Sequence, residues 1–238
     1  MIGMQQSEVT FETKCYEKDW EILLKTDRLE KMIEYNQFQF KEKILYINNV
    51  QDVREVGRHA DKLIARNVLS SYVIVDDFSK EALNYFDVTK ESFKGGYYYS
   101  ISELVSIYLC NTEYLLHFSS DSILEKPFNW IDLSLLKLQV DERIKVANPV
   151  WNGNIFEAKQ ESIDEDENFY IGYGFSDQCY LIRTNDFKNK IYNEKNPISE
   201  RYPIYGGELF EKRVDAWMRN NHFKRITFKH GNYIHQNY

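Results

Sequence analysis

Short apolar segments that end abruptly in polar residues recur through the first half of this chain. Four of them are rich in β-branched and aromatic residues and cover 9–13, 43–47, 71–75 and 114–118. Each is followed by polar residues, namely Thr13-Lys14, Asn48-Asn49, Asp76-Asp77 and Ser119-Ser120-Asp121. Apolar strands of this kind, alternating with helical segments, are typical of sheets covered on both faces. The pattern predicts an α/β fold with a mostly parallel central sheet flanked by helices.

The spacing of apolar residues predicts where the helices lie. It favours helices over 19–35, 53–65, 100–110, 130–140 and 208–221. Ser100 with Glu103 three residues later indicates a capping box at the start of the third of these.

The second half of the chain has a less regular pattern. Further strands are predicted at 143–147 and 226–228, a bent strand or hairpin at 170–182, and a solvated acidic loop at 161–167. Only 4 Pro and 10 Gly are present and no segment resembles a linker, so we predict a single domain over 1–238.

Charge and cysteine content exclude several classes of protein. The net charge of −7 argues against binding to nucleic acid or to an anionic membrane, because both need a basic surface. The cysteines Cys15, Cys110 and Cys179 form no CxxC pair, so neither a zinc site nor a disulfide framework is indicated. No apolar run approaches the length of a membrane span, and no basic-then-apolar secretory signal opens the chain. We expect a soluble cytoplasmic protein, with peripheral membrane association left open.

The polar strand ends predict a ligand crevice. Parallel strands bring their carboxyl ends to one edge of a sheet, where open α/β sheets bind ligands. Each polar end alone is equally typical of a turn, since Asn and Asp tolerate tight turns and cap helices. The chain contains neither GxGxxG nor GxxxxGK[ST], so a metal-held diphosphate is the better way to bind a nucleotide. Asp121 is a candidate ligand for Mg²⁺ or Mn²⁺, and His230 or His235 could add an imidazole, unless they are surface residues.

An acidic turn near the end of the chain is a candidate catalytic element. Gly206 and Gly207 allow close approach of the backbone to a ligand, and Glu208 follows them directly. A carboxylate on such a turn can act as a general base toward a substrate hydroxyl. The alternative is that Glu208 and Glu211 only favour the helix dipole.

Taken in chain order, these residues resemble the GT-A glycosyltransferases, especially the family-2-like nucleotide-sugar transferases. Residues 9–16 resemble the nucleotide contact of the first strand, and 118–121 lie where the family has its DxD motif. Ser119 stands in place of the first aspartate, and Asp121 matches the metal-binding one. Residues 206–208 match a Gly-rich turn with a catalytic acid, and a late His matches a frequent metal ligand. The resemblance covers most of the chain.

The resemblance implies a GT-A fold with a Rossmann-like nucleotide-binding half at 9–121 and an acceptor-binding and catalytic half at 122–238. It implies an inverting transfer of sugar from a nucleotide-sugar donor, of UDP type, to a saccharide or other hydroxyl acceptor. The implied cofactor is Mn²⁺ or Mg²⁺, with metal ligands among Asp121, His230 and His235. The implied nucleotide-binding residues are Thr10, Phe11, Thr13, Lys14, Tyr16, Asn48, Asp76, Asp77, Ser119 and Ser120.

Glu208 is then the expected general base, with Glu211 as its rival, and Tyr173, Asp177 and Gln178 are expected on the acceptor side. The alternative function is a nucleotide-sugar-binding protein on the same fold with weak or no catalysis. A nucleotidyltransferase is disfavoured, because no Gly- and Arg/Lys-rich loop follows the first strand.

Overall fold

A ten-stranded sheet forms the centre of the computed structural model, which describes residues 8–202 and 207–236. The strands are β1 Val9–Cys15, β2 Glu42–Ile47, β3 Ser71–Ile74, β4 Tyr114–Phe118, β5 Ser122–Leu124, β6 Ile144–Trp151, β7 Ser162–Glu165, β8 Phe169–Gly172, β9 Cys179–Arg183 and β10 Lys224–His235. Their order is β3-β2-β1-β4-β9-β6-β10-β8-β7, and β5 pairs with β10. The pairings set β5, β8 and β9 against the direction of the other described strands. The predicted α/β fold with a mostly parallel sheet is confirmed.

Helices cover both faces of this sheet. They are α1 Trp20–Lys25, α2 Arg28–Glu34, α3 Val53–Ala65, α4 Val75–Phe86, α5 Tyr97–Leu109, α6 Ile131–Val140, α7 Ile155–Gln160, α8 Thr184–Phe187 and α9 Phe210–Asn220, with 3₁₀ turns at Lys90–Phe93 and Pro197–Arg201. Along β4, Leu116 joins one apolar cluster and Leu115 joins another, because successive residues of a strand face opposite sides. None of the helices in the described ranges has the length and apolar character needed to cross a bilayer.

Two predicted helix boundaries are wrong. The segment 19–35 forms two helices, broken where Thr26 adopts an extended backbone and its hydroxyl donates to the Ile22 carbonyl at 2.6 Å. Side-chain bonds of this kind compete with the helical backbone. Helix α5 begins at Tyr97, so Ser100 is no cap; its buried Oγ accepts a hydrogen bond from the Phe210 N–H at 2.9 Å. Both residues of the predicted capping box therefore make tertiary contacts instead, because Ser100 bonds to Phe210 and Glu103 forms an ion pair with Lys14.

Helix α4 was missed, because β3 leads into it with no intervening loop. Asp76 and Asp77 occupy its first turn instead of a strand end, which suits acidic side chains near a helix N-terminus. Its buried residues Val75, Ser79, Ala82 and Phe86 had the spacing that would have revealed it.

The segment 170–182 is no hairpin. β8 pairs with β7 and β10, whereas β9 pairs with β4 and β6. The loop between β8 and β9 therefore passes the ends of β6 and β10, which lie between them in the sheet. Gly174 in this loop has a φ of +102°, a conformation that glycine adopts freely.

The acidic stretch 161–167 is exposed as predicted for most of its length, but 162–165 add the edge strand β7. The predicted helix at 208–221 is confirmed as α9, and the predicted strands at 143–147 and 226–228 lie within the longer β6 and β10.

Candidate active site

A cleft of about 680 Å³ opens where β1, β2 and β4 end, and we refer to it as the first cleft. The structure brings nine of the predicted site residues to its wall: Lys14, Tyr16, Asn48, Ser119, Ser120, Asp121, Asp177, Gln178 and His235. Gly95, just before α5, and Tyr98 and Tyr99 in its first turn complete one side. The first cleft therefore lies at the carboxyl edge of the parallel strands, the usual ligand position of such sheets.

Asp121 and His235 form a pair on the wall of the first cleft. Asp121 Oδ2 lies 2.8 Å from His235 Nε2, and the Ser119 hydroxyl donates to Asp121 Oδ1 at 2.7 Å. β5 brings the two residues together, because its pairing with β10 sets Ser122 opposite His235. A carboxylate and an imidazole fit a divalent metal that takes its remaining ligands from phosphate and water. Residues 8–202 and 207–236 hold no group of three or more His, Cys, Asp or Glu placed to bind a metal.

His230 does not join this pair. Its exposed ring lies against Phe228, with Nε2 3.2 Å from the carbonyl oxygen of Glu167. The reason is the course of β10, which pairs with β8 as far as Phe228 and with β5 only from Tyr233 onward. The two late histidines consequently lie beside different strands.

Several predicted nucleotide contacts are buried in the sheet instead. β1 continues to Cys15, so its end presents Lys14 and Tyr16, while Thr10, Phe11 and Thr13 are buried within it. The Thr10 hydroxyl lies 2.8 Å from that of Thr112, and the Phe11 ring stacks on Phe118. We therefore exclude Thr10, Phe11 and Thr13 from the candidate site.

The predicted pair Asp76-Asp77 also lies outside the first cleft. Asp76 lines a smaller adjoining pocket of about 260 Å³, which shares Asn48, Asn49 and Tyr98 with the first cleft. Asp77 is exposed on α4.

Buried charges lie beneath the first cleft, and no local sequence pattern predicted them. Lys14 forms an ion pair with Glu103 of α5, which is almost fully buried. Burial by itself would lower the pKa of Lys14, but the carboxylates of Glu103 and Asp177 raise it, so the lysine stays charged. Deeper in the sheet, Glu12 lies 2.6 Å from His117 Nδ1.

Asp19 is a further buried carboxyl beside the first cleft. It accepts hydrogen bonds from the Ser120 hydroxyl and from the Tyr16 N–H. Burial raises its pKa to about 6, although both hydrogen bonds act in the opposite direction.

A second cleft of about 370 Å³ lies between β6, β10 and α7. Its wall contains Asn148, Trp151, Asn154, Glu161, Arg201, Glu211, Arg225 and Tyr233, among other residues. Gln178 lines both clefts, so the loop before β9 separates them.

Glu211 connects the two clefts. It lines the second cleft, and its carboxyl group lies beside the backbone N–H of Asp177, a residue that lines the first cleft. Burial raises the pKa of Glu211 well above its ordinary value, and the neighbouring Asp177 carboxylate raises it further. The structure thus places a buried carboxyl group between two ligand-sized spaces.

Glu208, the expected base, has different surroundings. Its carboxylate lies 3.2 Å from Lys94 Nζ and 3.2 Å from Lys212 Nζ. Partial burial would raise its pKa, but the two lysines together lower it below its ordinary value. Glu208 is not among the residues that line either cleft.

Gly207 packs closely on the backbone of the segment before α5. Its φ is +77°, and an added Cβ would lie 2.6 Å from both Gly95 N and the Phe93 carbonyl oxygen. Gly206 lies outside the described residues. Tyr173, predicted on the acceptor side, is not among the residues that line either cleft. Its ring instead makes a cation–π contact with Lys224, whose Nζ lies 3.7 Å from the ring centre.

Comparison with known proteins shows the fold of this chain. No protein-family model and no curated protein matches it. Among solved structures it is similar to glucosyl-3-phosphoglycerate synthase from Mycobacterium tuberculosis in complex with Mn²⁺, UDP and phosphoglyceric acid (TM-score 0.51, 12% identity, 98% of this chain and 72% of that one). It is also similar to GalNAc-T7 with UDP, GalNAc and Mn²⁺ (TM-score 0.57, 11% identity, 98% and 44%) and to S. aureus TarS (TM-score 0.52, 14% identity, 96% and 36%). The chain therefore has the GT-A fold, as the sequence resemblance predicted.

Proposed function

We propose that this chain is a glycosyltransferase that moves a sugar from a UDP-sugar donor to an acceptor hydroxyl, with inversion and with the help of a divalent metal. The observation that carries the proposal is the placement of Glu211 between two clefts, the first of which holds the Asp121–His235 pair. The fold gives further support, because two structures similar to this chain were determined with UDP and Mn²⁺.

The first cleft suits the donor nucleotide. Tyr16 and Tyr99 offer exposed aromatic surface for a base, and Asn48 and Asn49 offer amide groups. Asp121 and His235 would hold the metal, and Ser119 orients the Asp121 carboxylate by its hydrogen bond. When bound, a divalent ion neutralises the charge that develops on the diphosphate leaving group.

Glu211 is the proposed general base. It takes the proton from the acceptor hydroxyl as the acceptor oxygen forms a bond to the anomeric carbon. The bond from that carbon to the diphosphate oxygen breaks, and its electron pair leaves with UDP. Such a single in-line displacement inverts the configuration of the anomeric carbon. Burial raises the pKa of Glu211, which makes its ionised form a stronger proton acceptor than an exposed carboxylate.

One observation favours the alternative, a nucleotide-sugar-binding protein without catalysis. Ser119 stands where the family resemblance expects an acid, so residues 8–202 and 207–236 offer the proposed metal two ligands, Asp121 and His235. Two ligands are nevertheless compatible with a metal that is completed by substrate phosphates.

Calorimetric titration with UDP, in the presence and absence of Mn²⁺, tests the proposal. We expect Mn²⁺-dependent binding that Asp121→Ala and His235→Ala each weaken at least about tenfold. His230→Ala is the matched control, since it removes an exposed imidazole of the same strand.

Two results would decide against the proposal. If no nucleoside diphosphate binds, both the transferase and the non-catalytic binding protein are excluded. Binding of UDP-sugars without turnover, in the presence of metal and a broad set of acceptors, would favour the non-catalytic protein.

A further inference from the structure

We infer that the acceptor is a neutral saccharide, which binds in the second cleft with one sugar ring stacked on Trp151. This inference rests on the proposed function and adds the substrate class of the second cleft. Three features of the second cleft support it, namely the exposure of Trp151, the polar groups of the lining and the charges of the wall.

Trp151 is the aromatic platform. It is 39% exposed, whereas the other tryptophans, Trp20, Trp130 and Trp217, are 7%, 0% and 7% exposed. It ends β6 opposite Tyr233 of β10, two residues before His235. A large aromatic face left open inside a cleft suits the apolar face of a sugar ring, since aromatic side chains combine large contact area with defined geometry. The platform therefore lies close to the strand that carries the proposed metal ligand.

The lining of the second cleft offers hydrogen-bonding groups for sugar hydroxyls. Gln178 Oε1 is buried and has no hydrogen-bond partner among the described residues. A buried acceptor without a partner costs stability, and a ligand hydroxyl that donates to it removes that cost. Glu211 lines the same cleft and contacts Asp177, the neighbour of Gln178. The reacting hydroxyl is thus expected beside Glu211 and Gln178, with the rest of the saccharide extending over Trp151.

The charges in the wall favour a neutral acceptor over an anionic one. Arg201 and Arg225 are already bound to the same carboxylate, with Nη1 of Arg201 3.0 Å from Glu161 Oε1 and Nη2 of Arg225 2.7 Å from Oε2. Glu157 and Glu211 add further acidic groups to the lining. A phosphate or carboxylate on the acceptor would have to displace Glu161, whereas sugar hydroxyls can bond to these groups as they stand.

Tryptophan fluorescence offers a test that needs no turnover. Because Trp151 is the exposed tryptophan, it should account for most quenching by iodide. We would titrate the protein, alone and with UDP and Mn²⁺, with methyl glycosides of hexoses and N-acetylhexosamines, and separately with 3-phosphoglycerate. At least one neutral glycoside should bind and protect Trp151 from iodide, and 3-phosphoglycerate should bind more weakly than that glycoside.

Four variants test where the glycoside binds and why an anion binds less well. Trp151→Ala should weaken glycoside binding about tenfold, while Trp151→Phe should retain most of it. Phe156→Ala is the matched control, because Phe156 is an exposed aromatic residue of α7 that is not among the cleft-lining residues. Glu161→Gln should increase binding of 3-phosphoglycerate, because it removes the carboxylate that holds both arginines.

Several outcomes would overturn the inference. One is that no neutral glycoside binds, and another is that a folded Trp151→Ala protein binds the glycoside as well as the wild type does. The others are that 3-phosphoglycerate binds more tightly than any glycoside, or that Glu161→Gln does not increase its binding. UDP titration separates these from a failure of the proposed function. A protein that binds glycosides at Trp151 but no nucleotide would contradict the donor assignment and leave the saccharide site standing.

Discussion

Glu208 and Glu211 are three residues apart, and the groups around them move their pKa values in opposite directions. Two lysines lower the pKa of Glu208, and burial beside Asp177 raises that of Glu211. A carboxylate held by two ammonium groups is a poor proton acceptor, whereas one with a raised pKa accepts a proton more readily. At the scale of single residues, the surroundings and not the motif position favour Glu211 as the base.

Glu211→Gln should reduce sugar transfer by about 10²–10⁴-fold, the usual contribution of a general base, and should leave UDP affinity nearly unchanged. Glu208→Gln, the matched control, should retain most of the activity. In the wild type the rate should increase as pH rises through the raised pKa of Glu211, because the base must be deprotonated. Initial rates across pH, with thermal melts of each variant, would measure this, and a wild-type rate in Glu211→Gln would rule out the assignment.

At the scale of elements, the segment before α9 supports the wall of the first cleft. Gly207 packs on the backbone of Gly95 and Gly96, directly before α5, and the Glu208 N–H donates to the Phe93 carbonyl at 3.0 Å. Gly95 itself lines the first cleft. A change at Gly207 should therefore reach the proposed donor site through the backbone of this neighbouring loop.

Gly207→Ala and Gly153→Ala separate backbone strain from crowding. Both glycines have a positive φ, +77° and +67°, but an added Cβ has no neighbour within 4 Å at Gly153. Gly153→Ala should lower the free energy of unfolding by about 1 kcal/mol through strain alone. Gly207→Ala should cost about 1–3 kcal/mol more, because its Cβ would clash with backbone, and it should also weaken UDP binding. Urea denaturation and UDP titration would measure both effects, and equal losses in the two variants would contradict the packing assigned to Gly207.

At the scale of the whole molecule, buried acids near the clefts make the stability depend on pH. The pKa of Asp19 is raised from 3.8 to about 6 in the folded protein. The folded state then holds this proton more tightly than the unfolded chain, so the contribution of Asp19 to the free energy of unfolding falls as pH rises from about 4 to about 6. The pKa difference corresponds to at most about 3 kcal/mol.

Asp19→Asn should remove that dependence. The stability of the variant relative to the wild type should increase across the same pH window, whatever its absolute level after the loss of one hydrogen-bond acceptor. Asp77→Asn, at an exposed position on α4, controls for the loss of a negative charge. Urea denaturation at a series of pH values would test this, and a pH-independent difference for Asp19→Asn would refute it.

Local sequence was enough to predict much of the fold. β1, β2, β3 and β4 were recognisable because β-branched and aromatic residues are concentrated in them, and α3 and α9 because one apolar face repeats at helical spacing. Polar residues after the strands predicted a crevice at one edge of the sheet, since parallel strands carry their ends there. Lys14, Asn48 and Asp121 do line such a cleft.

Tertiary structure decided which of the candidate groups meet. Asp121 and His235 are separated by 114 residues, and only the pairing of β5 with β10 brings them together while leaving His230 elsewhere. The contact of Glu211 with Asp177, and the second cleft around Trp151, likewise depend on β8 and β9 lying apart in the sheet. The sequence by itself determined the class of fold and the edge of the sheet at which the first cleft opens, because those follow from local apolar patterns. The chemistry of the site was decided by long-range strand pairing, which sets the burial and the charged neighbours of each side chain.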